Sequence, residues 1–390
     1  MRHKFIDMAR TPLKLVYITP ALYMAGGVER VLTWKANYFA EHFGYDITII
    51  LTEGRDKPLF YPLSDKIKVV NLDINFEDLW TYSFAKKIFV YLKKQRQYKK
   101  LLTAELLRIH PDITISLLRR EINFITDIPD GSKKIGEMHV NRANYRNFEA
   151  NEATWIKQLF AKWWMNNLVK HLKNLDKFVV LTYEDKDAWK ELSNIEVIPD
   201  PLSFNPHMSS PLVEKRVIGV GRYVYQKGFD LLLKAWAQVE KECPDWELAI
   251  YGEGDRTPYQ KQAKELNLDL TRCHLEDRSS DIEKEYCRSS VFVFSSRFEG
   301  FGMVLVEAMA CGLPVVSFDC PCGPKDIIKN GEDGLLVENG NVSALAEGLS
   351  SLINNAEQRK RMAENAQRNA QRFNIHQIAD KWNQLFTHLT

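Results

Sequence analysis

Two carboxylates and two cations stand where they could handle a charged, hydroxyl-rich ligand. Glu299 and Glu307 bracket the stretch SSRFEGFGMVLVEAMACGLPVVSF, residues 295–318. Ser295 and Ser296 read as a strand end, Gly300 and Gly302 as a turn, Met303 to Ala310 as a helix, and the Gly-Leu-Pro that follows as its stop. Glu299 precedes the glycine turn and Glu307 lies a turn into the helix, so the pair cannot share one helix face. They address different parts of one extended ligand. Backbone N–H groups free at a helix N-terminus, with glycines permitting close approach, suit a phosphate. A phosphate flanked by two hydroxyl-accepting carboxylates describes a nucleotide sugar. Upstream, the strand Val217 to Gly221 runs into Arg222 and Lys227, which at the mouth of a sheet could neutralise a diphosphate, one by a planar fork and one as a point charge.

Elements that would position these groups follow an α/β pattern. The first half reads as strands at Leu13–Thr19, Asp46–Leu51, Asp112–Leu117, Lys134–His139 and Phe178–Leu181, with helices from Glu29 to His42 and over residues 155–175. Gly26-Gly27, at a strand-to-helix turn, is a second place where amides can meet a phosphate. Val197-Ile-Pro-Asp-Pro201, with Asn205-Pro206 after it, makes a stiff linker. The expected domains are therefore 1–199 and 200–374. In the second, Trp246 to Tyr251 ends in Gly252-Glu-Gly254, whose backbone could pass close to a nucleotide, and Pro314 to Phe318 forms another strand. Residues 341–355 and 356–372 read as helices.

The E-x7-E pattern inside FEGFGMVLVEAMACGLPVV, with Gly221-Arg222-x4-Lys227-Gly228, resembles the retaining family 4 glycosyltransferases, and the resemblance covers nearly the whole chain. It implies the GT-B architecture, two doubly wound Rossmann-like domains facing a central cleft. It further implies that Arg222 and Lys227 bind the phosphates, that the amides near Phe301 and Gly302 join them, that Glu307 accepts the ribose hydroxyls and that Glu299 accepts those of the transferred sugar. The loop at Gly27 would touch the donor diphosphate or the acceptor from the opposite wall. His139, after its strand, would reach the transferred sugar, and the last helix, 375–390, would pack back on the first domain. The implied route is front-face displacement, with the departing phosphate taking the acceptor's proton and with no metal or other cofactor. Asp319-Cys-Pro-Cys-Gly-Pro resembles the C-terminal repeat of enzymes in bacterial polysaccharide and lipid-linked oligosaccharide assembly, which favours a UDP-hexose or UDP-N-acetylhexosamine donor and a saccharide or lipid-linked saccharide acceptor. The chain departs from the pattern at Glu276-Asp277, where relatives have a glycine beside the base, and at Gly302, where they often have proline.

Other classes fit less well. Gly219-Val-Gly221 is followed by Arg-Tyr-Val-Tyr, not by the remainder of a dinucleotide fingerprint, which disfavours an oxidoreductase. A nucleotide-sugar epimerase or a non-catalytic nucleotide-sugar-binding protein on the same fold remain as alternatives. The chain has 390 residues, 45% of them hydrophobic, enough for two full cores. Six cysteines in the second half, without C-x-x-C spacing, favour a reducing cytoplasm. Arg2, Lys4 and Arg10 before the uncharged run from Leu15 to Val28 imitate a signal peptide, but Pro20 breaks the run and a first strand is the better reading.

Charge is unevenly divided. Residues 1–195 hold 31 Lys and Arg against 23 Asp and Glu, and the rest 22 against 28. Within Trp80 to Leu102, Lys86, Lys87, Lys93, Lys94, Arg96, Lys99 and Lys100 interleave with aromatics, Phe84 and Phe89 among them, and no acid interrupts. Such a basic helix suits the anionic cytoplasmic face of a membrane as a peripheral contact. No nucleic-acid-binding motif accompanies it.

Overall fold

The computed structural model describes residues 12–147 and 155–390, with side chains except those of 84, 85, 146, 147, 155–158 and 160. Arg2, Lys4 and Arg10, and the side chains of Phe84 and Trp155, lie outside the described residues.

Strands with both faces apolar belong between helix layers, and here they form two parallel sheets. The first domain runs β1 (Lys14–Thr19), α1 (Gly27–Tyr38), β2 (Asp46–Leu51), β3 (Lys68–Asn71), α2 (Phe84–Ile109), β4 (Ile113–Ser116), β5 (Lys133–Glu137), α3 (Trp155–Lys173), β6 (Lys177–Val180), α4 (Tyr183–Ala188) and β7 (Ile195–Val197). The second runs β8 (Arg216–Val220), α5 (Phe229–Glu242), β9 (Glu247–Tyr251), α6 (Thr257–Glu265), β10 (Cys273–Glu276), α7 (Ile282–Cys287), β11 (Val291–Phe294), α8 (Met303–Ala310), β12 (Val315–Asp319), α9 (Pro324–Ile327), β13 (Gly334–Glu338), α10 (Val342–Asn354) and α11 (Ala356–Ala370), before α12 (Ile375–Leu389). The strand orders are β3-β2-β1-β4-β5-β6-β7 and β10-β9-β8-β11-β12-β13. Each sheet reverses direction of growth beside its first strand, between β1 and β4 and between β8 and β11. Ligands of such sheets bind at the carboxyl ends of the strands beside that switch. The loops carrying Gly27, His139, Arg222, Lys227 and Glu299 all leave strands at that end.

The expected boundary at 199/200 lies between β7 and β8, and α12 packs on the first domain. Its Ile378, Trp382 and Phe386 join Leu15, Tyr17 and Phe39 in one core. Tyr38 Oη lies 2.6 Å from His376 Nδ1, and Tyr45 donates to Asn383. Asn374 starts α12 by accepting from Gln377 N at 2.9 Å, which satisfies one of the orphan donors of the first turn.

Four local expectations need correction. The first helix stops at Tyr38, and a wider π turn over Phe39–Phe43 carries the chain to Gly44, whose φ of 68° ends it. Strands β3 and β7 went unread because each is short and at a sheet edge, and β3 is largely exposed, so neither presents an apolar run. The basic segment does not form one helix from Trp80. Phe76–Thr81 is a separate 3-10 turn, and α2 begins after Ser83. Nor is Lys94 available to a surface, because its Nζ donates to Ile74 O at 2.6 Å and pairs with Asp78 at 2.8 Å, tying α2 to that turn. Tyr98, Leu102 and Leu106 bury the core side of α2, while Phe89 is 71% exposed. All six cysteines are buried and free. Among the described residues no helix is long and apolar enough to cross a membrane.

Candidate active site

On the second domain's wall, β8 ends at Val220 and the chain turns through Gly221 to Arg222. Arg222 is exposed and has no ion-pair partner among the described residues. Lys227 closes the tight turn Tyr225–Lys227. Gly228 then takes a φ of 62°, and any Cβ there would sit 2.0 Å from Ser295 O, so only glycine lets this loop lie on the end of β11. The packing brings Lys227 Nζ to 2.7 Å from Glu299 Oε1. Gln226 Nε2 steadies the other oxygen at 3.3 Å. Sequence reading passed over Gln226, although it lies inside the motif.

Gly302, at φ 104°, begins α8 without any side-chain cap. The early N–H groups of that helix therefore keep their electrostatic pull at the rim of the site. Phe301 is buried, with its ring 5.4 Å from that of Phe373. Any contribution it makes to a ligand is by backbone. Gly252 is required by a backbone crossing, since a Cβ would sit 1.7 Å from Gly221 O. It keeps the ends of β8 and β9 together behind Arg222.

Glu307 is only 2% exposed. Its Oε1 accepts from Arg30 Nη2 at 2.5 Å and from Ser203 Oγ at 2.7 Å, and its Oε2 accepts from Tyr286 Oη at 3.2 Å. A carboxylate has about four acceptor positions, so Oε2 retains capacity. Arg30 was missed in the sequence. The available signal was a cation in the first turn of α1, where the helix dipole disfavours it unless an anion compensates.

Across the cleft, Gly27 opens α1 with free space where a Cβ would be. His139 occupies a different setting from the one expected of a sugar-facing side chain. Its ring is 7% exposed, with Nε2 at 3.2 Å from Glu137 and Nδ1 at 3.3 Å from Asp200. Glu137 in turn holds Lys35 of α1, and both side chains are 1% exposed. Burial alone would favour neutral groups here, and the opposite charges outweigh it. Lys35 and His139 hold the Glu137 carboxyl down near 2, and Asp200 and Glu137 push His139 up to about 9. The backbone of His139 touches the other wall, because Gly300 lies where a Cβ would be 2.2 Å from His139 O. Two residues on, Asn141 Nδ2 donates to Glu299 O at 2.6 Å.

The walls also meet at Tyr183 N to Asp326 Oδ1, 3.2 Å, and Cys322 N to Glu184 Oε2, 2.9 Å. An Asp-x-Asp, Asp185-Lys186-Asp187, lies in α4 beside these contacts. Asp185 is committed to Arg142 N at 2.9 Å and Trp189 Nε1 at 3.4 Å.

Two Rossmann-like domains facing one another in this way form the GT-B architecture of glycosyltransferases, and the comparisons agree. Residues 208–369 match the family of glycosyl transferases group 1. An uncharacterized glycosyltransferase of Haemophilus influenzae is 32% identical over 92% of this chain and 95% of its own length. The chain belongs to this family and is a glycosyltransferase. It is also 26% identical, over 95% of this chain and 97% of the relative, to the GalNAc-alpha-(1->4)-GalNAc-alpha-(1->3)-diNAcBac-PP-undecaprenol alpha-1,4-N-acetyl-D-galactosaminyltransferase of Campylobacter jejuni. Among solved structures, Staphylococcus aureus TarM in complex with fondaparinux, alpha-GlcNAc-glycerol and UDP superposes with a TM-score of 0.74 over 96% of this chain and 99% of that one, at 17% identity. That last likeness is one of fold.

Proposed function

We propose that the protein is a retaining, family 4 enzyme that transfers a hexose or N-acetylhexosamine from a nucleotide diphosphate sugar, with UDP as nucleotide, to a lipid-linked saccharide during cell-surface polysaccharide synthesis. The observation that carries this reading is the meeting of Lys227 and Glu299 at 2.7 Å beside the uncapped start of α8. A cation, a carboxylate and free helix amides gathered there support the binding of a sugar diphosphate. The relative's lipid-linked acceptor and the UDP of the TarM complex support the choice of acceptor and nucleotide.

When the donor's sugar–phosphate bond breaks, negative charge grows on the β-phosphate. Arg222, Lys227 and the amides near Phe301 and Gly302 would oppose that charge and lower the barrier. Glu307 would accept the ribose hydroxyls through Oε2, and Glu299 those of the transferred sugar. Neither acts as a nucleophile. The departing phosphate takes the acceptor's proton on the same face, and no metal is invoked.

The acceptor would reach the cleft from the cytoplasmic leaflet. Trp80, Phe89 and Leu92 are exposed beside Lys86, Lys87 and Lys93, a peripheral surface for anionic lipid. The test is incubation with a panel of nucleotide sugars, following nucleotide release with and without acceptor. Acceptor-dependent release from a UDP-sugar supports the reading. Isomerisation of the donor without acceptor would establish an epimerase, and binding without turnover a binding protein; the comparisons lend neither alternative support.

A further inference from the structure

The charged groups around His139 come from three separate parts of the chain and are almost wholly enclosed. Lys35 belongs to α1, Glu137 ends β5, His139 follows it, and Asp200 lies in the linker between the domains. Each side chain is at most 7% exposed. From neighbouring elements, Trp382 of α12 lies under Lys35 Nζ at 4.5 Å, and the buried Tyr17 of β1 faces Glu137.

Two carboxylates, one ammonium and one imidazolium sum to zero. With a neutral imidazole, one negative charge would be stranded away from water, which is strongly unfavourable. Atoms of Glu137, His139 and Asp200 also lie within 4.8 Å of one another, as metal ligands can. Lys35 already supplies Glu137 with a cation, so a proton on His139 completes the balance where a divalent ion would overfill it.

The arrangement reaches both walls of the cleft. Asp200 ties the linker to His139, His139 O packs on Gly300, and Asn141 holds Glu299 O. We propose that Asp200 is a positioning residue, which fixes the His139 ring from the linker so that the segment His139–Asn141 holds Glu299 and Gly300 in one register across the cleft. Glu137 and Lys35 complete the set from the first domain. His139 then acts on the sugar site through its backbone and through Asn141. The catalytic consequence rests on the transferase reading above, whereas the charge arrangement does not.

Histidine side-chain NMR separates the two. The His139 signal, assigned by its loss in His139→Gln, should stay that of an imidazolium through neutral pH and titrate near about 9. In Asp200→Asn the midpoint should move down by at least about one unit. Asp200→Glu keeps the charge and should keep the midpoint, which provides a second reading if the asparagine variant folds poorly. Kinetically, Asp200→Asn should lower kcat by about tenfold at pH 8.5 and far less at pH 6, with the donor KM little changed, because acid restores the imidazolium. A wild-type midpoint at the ordinary histidine value, a midpoint unmoved in Asp200→Asn, or displacement of the imidazolium signal by stoichiometric Zn²⁺ overturns the proposal. So does a loss of kcat that is the same at both pH values. If the NMR results hold and no sugar nucleotide is turned over, the functional reading fails alone.

Discussion

On the second domain's wall the two cations sit in the short loop after β8, with Arg222 open to solvent and Lys227 partly so, while Glu299 and Glu307 are buried. On the first domain's wall the charged groups are sunk below the surface, and Lys35 and Glu137 are each 1% exposed. The difference is one of task. Cations that must exchange partners with a ligand stay nearer to water, where the change of partner is cheap. Groups that only hold geometry can be enclosed, where electrostatic interactions are strong and the cost of an unpaired charge is high. The two kinds of wall should therefore fail differently when mutated.

The largest effect on stability is expected at Glu137. Removing one member of a buried pair leaves the other charge uncompensated and costs about 3–5 kcal/mol. Glu137→Ala should therefore melt much earlier than wild type, while Lys35→Met combined with Glu137→Leu recovers most of the loss. A single variant as stable as the double one would mean the pair is not enclosed as described. On the opposite wall, Arg222→Ala should leave the melting temperature nearly unchanged, whereas Lys227→Ala should lower it by stranding the buried Glu299; in the proposed reading both oppose charge that develops in the transition state, so each should cut turnover by about 10²-fold or more. Wild-type rates in both would remove them from the site.

The meeting of Lys227 with Glu299 on the second wall was legible because the residues of this candidate site lie in two continuous stretches whose glycines, cations and carboxylates form local turns. The parallel-sheet architecture was legible for a similar reason, since buried strands such as Asp46–Leu51 are unbroken apolar runs. The first wall resisted because its partners are joined only by folding. Lys35 finds Glu137 across 102 positions and Arg30 finds Glu307 across 277, and no local spacing encodes either pair. What the sequence offered was weaker. Lys35 lies on the same helical stripe as the buried Val31, Leu32 and Ala36, and a charge on an apolar stripe demands an enclosed partner. His139 was found by position, but its two carboxylate neighbours, one of them in the linker, could not be.

The enclosed wall also predicts a pH dependence of stability. His139 is raised from its ordinary 6.5 to about 9, so its contribution is fully present below the ordinary value and is lost as pH rises through about 9. Glu137 is lowered from 4.5 to about 2, so its contribution is present above 4.5 and is lost on acidification toward 2. Melting curves should show a fall between pH 6.5 and 9 that His139→Gln flattens. An identical slope in that variant would place the titrating group elsewhere.

A smaller effect is expected on the outer face of α2. In the proposed membrane contact, Lys86, Lys87 and Lys93 would contribute up to about 1 kcal/mol each near an anionic bilayer, weakened by salt. Changing those three to glutamate should abolish co-sedimentation with anionic vesicles at low salt. Lys94→Glu should instead destabilise the fold, because that lysine is bound to Ile74 and Asp78. Equal sedimentation with neutral and anionic vesicles would leave a soluble acceptor as the better reading.

The division of labour within the second wall is the centre of the account, and calorimetric titration with UDP addresses it directly. In the proposed reading Glu307 takes the ribose and Glu299 the transferred sugar, which UDP lacks. Glu307→Ala should therefore weaken UDP binding by about tenfold or more, the worth of a lost charge-assisted hydrogen bond. Glu299→Ala should bind UDP as wild type does while losing transfer. Loss of UDP affinity in Glu299→Ala with full affinity in Glu307→Ala would reverse the assignment and contradict it.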